Sequence, residues 1–182
     1  YWLVDPLDGT KEFIKRNGEF TVMAALMHNE HPVFGAIHAP DKKIDYFGGI
    51  TLPPVKIELG TEKEIKVGSE LHEPLILLAS RSHQDDDSAA FLKRLGKHQL
   101  TNIGSSFKFG QVADGTADAY VRFHPTMEWD TAAGQAIVEA AGGRLVSVDG
   151  SDFKYGKAGR KNGGFVVFNP LLKVEKMLQQ SA

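Results

Sequence analysis

Two aspartates, Asp5 and Asp8, directly follow a short apolar run at the start of this sequence. The run is typical of a buried strand. We expect Pro6 to end that strand, because proline has no N–H for a sheet ladder and its φ angle is fixed. Gly9 and Thr10 would then open a short turn or helix. The two carboxylates are therefore expected where a strand gives way to a helix.

The same segment has the residues of a hard-cation site beside an anion site. Asp5 and Asp8 supply carboxylate oxygens, and the carbonyl of Leu7 can supply another. The amides of Gly9 and Thr10 lie where the unpaired N–H groups of a helix start can bind phosphate. This combination suggests metal-assisted phosphoryl chemistry. Taken alone, however, the two aspartates are better explained as a strand end and a helix N-cap.

A second acidic segment lies far along the chain, where Glu128, Trp129 and Asp130 precede a run of small and apolar residues. The pattern predicts a helix over 130–141, capped by Asp130 and ended by the glycine pair at 142–143. Judged alone, Asp130 is better explained as an N-cap than as a metal ligand.

Together, these segments resemble the two signatures of the lithium-sensitive, magnesium-dependent phosphatase superfamily, which includes inositol monophosphatases and fructose-1,6-bisphosphatases. The segments read W-L-V-D-P-L-D-G-T-K-E-F at 2–13 and E-W-D-T-A-A-G at 128–134. The K-E-F continuation and G-E-F-T-V at 18–22 are similar to the bacterial 3'(2'),5'-bisphosphate nucleotidases of the CysQ type. The resemblance covers nearly the whole chain. It implies an α/β fold, the layered α-β-α-β-α sandwich of that superfamily.

The resemblance also implies a reaction, a cofactor and a set of catalytic residues. The reaction is hydrolysis of the 3'-phosphate of adenosine 3',5'-bisphosphate to AMP and phosphate, and the cofactor is Mg²⁺. The metal would be held by Asp5, Asp8, Asp130 and the Leu7 carbonyl. Thr10 would orient the attacking water, so the expected catalytic residues are the three aspartates and Thr10.

The substrate side of the site is expected around Ser105, Ser106 and Lys108, at a strand-to-helix turn. Spacing alone favours a serine N-cap and a solvated lysine, but the segment resembles the family's G-S-S-x-K stretch, which implies a 5'-phosphate pocket. Arg122 ends a strand and can hold a phosphate bidentately, although a surface arginine is equally plausible. His83 would contact a ribose or base, or else cap a helix. The expected substrate-binding residues are Gly9, Thr10, Ser105, Ser106, Lys108, Arg122 and His83.

The composition limits the classes of protein to which this chain can belong. The formal net charge of −2 gives no sign of a basic face that would bind nucleic acid. No apolar run is long enough to predict a membrane-spanning helix. The absence of cysteine excludes disulfides and thiolate metal sites and fits a cytoplasmic protein, with peripheral membrane association left open. The basic stretch Lys157–Lys161 is expected to be solvated.

The rest of the sequence predicts a β-hairpin, then edge strands or an exposed connection, and then alternating strands and helices. The first part should contain strands at 1–5, 20–28, 32–39 and 43–48, a short helix at 8–14, and edge strands or an exposed connection over 51–68. From residue 75 onward, the alternation predicts a mainly parallel sheet covered on both faces. Its strands are expected at 75–79, 99–103, 117–123, 144–148 and 164–169, and its helices at 84–95, 105–113, 130–141 and from Pro170. We place a boundary near residue 70, between the remainder of an N-terminal metal-binding α+β subdomain (1–70) and a C-terminal α/β subdomain (71–182).

Three alternatives stay open. An inositol monophosphatase would usually continue its first motif as T-N-F rather than K-E-F. A haloacid-dehalogenase phosphatase carries D-x-D-G-T, one residue shorter than the motif here, and uses its first aspartate as a nucleophile. The third alternative is a non-catalytic phosphate-binding fragment. The resemblance places about a third of the family fold and a Glu-rich metal motif before Tyr1, so we expect a longer protein, and we expect residues 1–182 alone to be inactive and poorly soluble.

Overall fold

The computed structural model describes residues 1–80 and 86–179, which form two large β-sheets, a separate two-stranded pair, and helices packed between and outside the large sheets. The strands are β1 (Trp2–Asp8), β2 (Thr21–His28), β3 (His31–Ala39), β4 (Ile44–Gly49), β5 (Leu52–Glu58), β6 (Thr61–Glu64), β7 (Leu75–Ser80), β8 (His98–Ile103), β9 (Ala119–Arg122), β10 (Thr126–Met127), β11 (Arg144–Ser147), β12 (Lys161–Asn162) and β13 (Phe165–Phe168). The α-helices are α1 (Thr10–Ile14), α2 (Asp86–Arg94), α3 (Phe107–Ala113), α4 (Ala132–Ala140) and α5 (Val174–Gln179), and 3₁₀ turns lie at Glu128–Asp130, Ala158–Arg160 and Pro170–Leu172.

The first sheet is six-stranded and antiparallel, with β1 to β6 in chain order. Successive side chains in a strand face opposite sides. Leu3 is therefore buried against the helices, while Trp2 and Val4 are exposed on the other face. The hairpin predicted over 20–39 is confirmed, and the 51–68 connection forms the edge hairpin β5–β6.

The expectation that Pro6 ends the first strand is wrong, because β1 continues through it to Asp8. The register with β2 pairs Asp5 with Met23 and Asp8 with Thr21, so β1 contains an extra residue and forms a bulge. β1 is an edge strand, where a proline at a bulge is tolerated. In a regular strand, residues three apart face opposite sides. The extra residue allows Asp5 and Asp8 to face the same side.

The second sheet has the order β11-β13-β9-β7-β8 and is mixed rather than mainly parallel. β7 is parallel to β8 and β9, whereas β13 is antiparallel to both β9 and β11. The predicted parallel direction is confirmed for β7, β8, β9 and β11. It is wrong for β13, which runs the opposite way. The chain between β11 and β13 contains no α-helix, only a loop with a short 3₁₀ turn and the two-residue strand β12, whereas a parallel return usually runs through an α-helix.

Helices α3 and α4 pack between the sheets, and α2 and α5 cover the other face of the second sheet. Four layers of the expected sandwich, in the order sheet, helices, sheet, helices, are therefore present in the part of the chain that the structure describes. The core between the sheets joins both of them through α3 and α4, and the boundary near residue 70 stays a prediction. No helix within 1–80 or 86–179 is long and apolar enough to cross a membrane.

Gly35 on β3 fixes how closely α4 approaches the first sheet. A Cβ at this position would lie 2.2 Å from the carbonyl oxygen of Ala133, in the first turn of α4. Any side chain here would push the helix away from the sheet. The glycine therefore lets the start of α4, and Asp130 just before it, lie close to the sheet that carries Asp5 and Asp8.

Candidate metal and phosphate site

Three carboxylates from distant parts of the chain converge at one end of the first sheet. Asp5 and Asp8 lie on either side of the β1 bulge, and Asp130 ends the 3₁₀ turn before α4. One carboxylate oxygen from each residue lies within 4.8 Å of those of the other two. This spacing allows a single cation to contact all three side chains.

Backbone N–H groups hold one oxygen of each carboxylate. The Asp5 carboxylate accepts a hydrogen bond from the backbone N–H of Leu7, two residues further along the chain (3.0 Å). Asp8 accepts from the N–H of Ser106, and the Thr21 hydroxyl lies 3.4 Å from the same oxygen. These contacts fix the carboxylates before any ligand arrives.

Asp130 does not cap α4 as the sequence suggested. Its carboxylate accepts from the N–H of Met127 (2.8 Å) and so closes its own 3₁₀ turn, while α4 begins two residues later at Ala132. The extra turn explains the difference, because it uses the carboxylate before the helix starts. Asp130 thereby points toward β1 rather than along α4.

The acidic cluster fits a hard divalent cation. Burial raises the pKa of Asp130 to about 6, and the charges of Asp8 and Asp5 contribute, against opposing effects of the Met127 N–H and Arg122. Burial likewise raises the pKa of Asp5, with the charge of Asp8 adding to it. Among the described residues, no ion pair within 4.0 Å neutralises any of the three carboxylates. Oxygen ligands of this kind suit Mg²⁺ or Mn²⁺.

The raised pKa predicts that the metal-free protein is destabilised by its own site. The folded-state pKa of Asp130 lies above the unfolded value, so the cost is present above about pH 6 and disappears as the pH falls toward 4. Asp130→Asn should therefore raise the melting temperature in EDTA at pH 7.5 by a few degrees, at about 2–4 °C per kcal/mol for a chain of this size. The Asn oxygen can still accept from Met127. An unchanged or lower melting temperature would contradict this, and in excess Mg²⁺ the native protein should be the more stable of the two.

The turn between β1 and α1 lies beside the cluster. Gly9 has a left-handed conformation with φ of +86°, and a Cβ there would lie 2.9 Å from the carbonyl oxygen of Glu19. Thr10 begins α1, and its hydroxyl donates to the carbonyl of Leu7 (3.3 Å). The Leu7 carbonyl has a second lone pair, so this contact is compatible with its predicted role as a metal ligand.

The turn at Gly104–Lys108 is joined directly to the acidic cluster. The Ser106 N–H that binds Asp8 belongs to this turn, and the Ser106 hydroxyl lies 2.7 Å from that of Thr21. Lys108 is not solvated: it is almost fully buried, its ammonium donates to the carbonyls of Ile103 (2.8 Å) and Ser105, and it lies 4.8 Å from the centre of the Tyr120 ring. Ser106, predicted for the phosphate pocket, is thus bound directly to a member of the acidic cluster.

Arg122 lines the cleft and has a hydrogen-bond donor that no described residue accepts. Its Nη1 is 3.4 Å from the Ser80 hydroxyl, while its Nε is buried and has no hydrogen-bond partner among the described residues. The Thr126 hydroxyl is buried and unpaired in the same way. Leaving such groups unsatisfied is costly. Both residues line the cleft, so a polar ligand there would satisfy them.

One cleft connects the acidic cluster and the cationic side chains. Its lining includes the predicted residues Asp8, Gly9, Thr10, Ser105, Ser106, Lys108, Arg122 and Asp130. His83 falls outside the described residues. The sequence reasoning missed Ser80, Thr21 and Thr126. Ser80 directly follows the strand predicted at 75–79, and Thr21 lies within G-E-F-T-V, but nothing in the sequence shows which way either side chain faces.

Fold and site together define a layered α/β protein with a cluster of three carboxylates facing a cationic pocket. The chain belongs to the inositol monophosphatase family, whose model matches residues 1–177. The layered fold implied by the sequence is confirmed. Family membership also leaves no place for the haloacid-dehalogenase alternative.

Both the sequence and the structure of this chain are similar to those of known proteins. The chain is 51% identical over 155 residues to the 3'(2'),5'-bisphosphate nucleotidase CysQ of Salmonella typhimurium and 48% identical to that of Escherichia coli K12, covering 85% of this chain in each case. It spans 62% of the length of these curated relatives. The crystal structure of CysQ from Bacteroides thetaiotaomicron superposes with a TM-score of 0.84 at 40% identity, covering 92% of this chain and 69% of that one. An inositol monophosphatase from Anabaena superposes with a TM-score of 0.78 at 25% identity, covering 98% of this chain and 71% of that one.

Proposed function

We propose that this chain carries the metal and substrate residues of a Mg²⁺-dependent phosphomonoesterase that hydrolyses the 3'-phosphate of adenosine 3',5'-bisphosphate to AMP and phosphate. The observation that carries the proposal is the shared cleft, which is lined by Asp8, Asp130, Lys108 and Arg122, with Asp5 beside it in the same acidic cluster. A substrate with one phosphate to cleave and a second to hold matches this division. The names of the CysQ relatives support the same substrate class.

In this proposal, Asp5, Asp8, Asp130 and the Leu7 carbonyl hold Mg²⁺. When bound, the metal supplies a Lewis acid for a phosphoryl oxygen and lowers the pKa of water. The protein supplies the geometry, because the β1 bulge and the Ser106 N–H fix the carboxylates in advance. Thr10 and the amides at the start of α1 line the cleft, where they would orient the attacking water and stabilise phosphoryl charge.

The uncleaved 5'-phosphate is assigned to Ser105, Lys108 and Arg122. The Lys108 ammonium has three N–H donors, and carbonyls accept two of them. Within 1–80 and 86–179, no group accepts a hydrogen bond from the Arg122 Nε. Donors left over in a buried, cationic wall suit a phosphate dianion, since charge-assisted hydrogen bonds are the strong ones.

A phosphate-release assay tests the proposal. The protein that contains this sequence should be assayed with Mg²⁺ on adenosine 3',5'-bisphosphate, its sulfated form phosphoadenosine phosphosulfate, and inositol 1-phosphate, with EDTA as the metal-free control. Preference for inositol 1-phosphate would instead favour the inositol monophosphatase alternative. Release that persists in EDTA would overturn the metal mechanism. Residues 1–182 assayed in parallel show whether this portion is active alone, and we expect that it is not.

A further inference from the structure

The basic stretch at 157–161 is largely exposed, as predicted, and it belongs to a segment that contacts the turn carrying Asp130. We call residues 155–162 the clamp and residues 126–131 the Asp130 turn. The two are joined first by the short antiparallel pair β10–β12. No clamp residue lines the cleft. The clamp therefore contacts the site from outside, through the Asp130 turn, and Arg160 also donates to the Tyr1 hydroxyl (3.0 Å) just before β1.

Glu128 provides the second connection. Its carboxylate is fully buried, and both of its oxygens accept hydrogen bonds from the clamp: one from the N–H of Lys157 (2.9 Å) and one from the Arg160 guanidinium (3.1 Å). A buried carboxylate is retained only when it is paired in this way. The contact fixes the first residue of the 3₁₀ turn that ends at Asp130.

Asn162 provides the third connection and spans the whole turn. Its side chain is buried, and its amide N–H₂ donates to the Met127 carbonyl (3.3 Å) and to the Thr131 hydroxyl (2.9 Å). Its amide oxygen accepts from the Lys157 ammonium (2.9 Å). Met127 and Thr131 lie on either side of the 3₁₀ turn, so one amide ties its two ends together.

Tyr155 fixes the Thr131 end from within the core. Its buried hydroxyl lies 3.2 Å from the Thr131 hydroxyl and donates to the Gln135 side-chain oxygen (2.8 Å). The Gln135 amide is oriented in turn by Glu139, which accepts from its nitrogen (2.8 Å). Buried networks whose members are all satisfied hold their parts in one arrangement.

We propose that Asn162 and Tyr155 are positioning residues for the metal ligand Asp130. The proposal rests on the assignment of Asp130 as a ligand in the proposed function. Asp130 lies on a single 3₁₀ turn that it closes with one hydrogen bond of its own, so its orientation depends on what holds the two ends of that turn. Groups that orient metal ligands from outside the coordination sphere commonly change metal affinity by about 10–100-fold when removed.

The test measures metal binding directly, by titrating the protein that contains this sequence with Mn²⁺ and following free Mn²⁺ by EPR. Asn162→Ala should raise the Kd by roughly tenfold. Tyr155→Phe keeps the ring and removes only the hydroxyl, so it should raise the Kd by a smaller factor. The matched control is Tyr46→Phe, which removes an equally buried hydroxyl that binds Asp114 (2.9 Å) away from the cluster, and whose Kd should stay at the native value.

The outcomes separate this inference from the proposed function. Native protein that binds no Mn²⁺ overturns both. Native protein that binds Mn²⁺, with Tyr155→Phe and Asn162→Ala both indistinguishable from Tyr46→Phe, overturns the positioning role alone. If Asn162→Ala does not fold, Tyr155→Phe decides by itself, because its ring still fills the core. A raised Kd in the two clamp variants without a change in the control supports the inference.

Discussion

Asp8→Asn is expected to reduce the rate of phosphate release by well over tenfold, with the loss mainly in kcat. Asparagine can still accept the Ser106 N–H through its oxygen, so the Gly104–Lys108 turn should keep its place. What is lost is one negative charge from a cluster whose members lie within 4.8 Å of one another. A carboxylate that holds a catalytic metal acts chiefly on the transition state.

The measurement is steady-state kinetics on adenosine 3',5'-bisphosphate in saturating Mg²⁺, beside a control that makes the same chemical change elsewhere. Asp45→Asn is suitable, because Asp45 is 42% exposed, pairs with His38 across β3 and β4, and does not line the cleft. Its kcat should match that of the native protein. An Asp8→Asn variant within a factor of two of native would show that Asp8 is not a ligand of the reacting metal.

The acidic cluster shows how far sequence reasoning can go and where it stops. The residue types and the two motifs were enough to select Asp5, Asp8 and Asp130 for one site. The bulge that lets Asp5 and Asp8 face the same side depends on the register with β2. Pairing of this kind is a property of two segments, and neither segment predicts it alone.

The same limit explains the other corrections. A regular alternation of strand and helix gave the elements of the second sheet, but the antiparallel insertion of β13 between β9 and β11 depends on the path of a long loop. From charge alone, we predicted solvent exposure for Lys108 and for the basic stretch of the clamp, because charged side chains are usually exposed. Lys108 is instead buried, and its ammonium is held by the nearby carbonyls of Ile103 and Ser105. The clamp keeps Lys157 and Lys161 exposed, as predicted, but its contacts with Glu128 join distant parts of the chain, and single-sequence patterns carry no trace of such partners.

Arg122→Gln is expected to raise the KM for adenosine 3',5'-bisphosphate by about 10–100-fold and to leave the KM for 3'-AMP nearly unchanged. The two substrates differ only in the 5'-phosphate, so the ratio of the effects reports contact with that group. The magnitude follows from losing a hydrogen bond to a charged group, about 1.5–3 kcal/mol. Arg122 is a better probe than Lys108, because the Lys108 ammonium holds the turn that binds Asp8, and Lys108→Ala should harm both substrates.

The assay should be run at pH 8. Arg122 lowers the pKa of Asp130, which stands at about 6, and its removal would raise that pKa further. At pH 8 Asp130 stays ionised in both proteins, so the loss of the Arg122 charge is not confused with protonation of a metal ligand. Arg144→Gln is the matched control, since Arg144 is 51% exposed and pairs with Glu175 (2.9 Å) away from the cleft. Equal losses on both substrates would place Arg122 at the reacting phosphate instead, and a loss confined to kcat on the bisphosphate would mean that binding energy from the 5'-phosphate is used in the transition state.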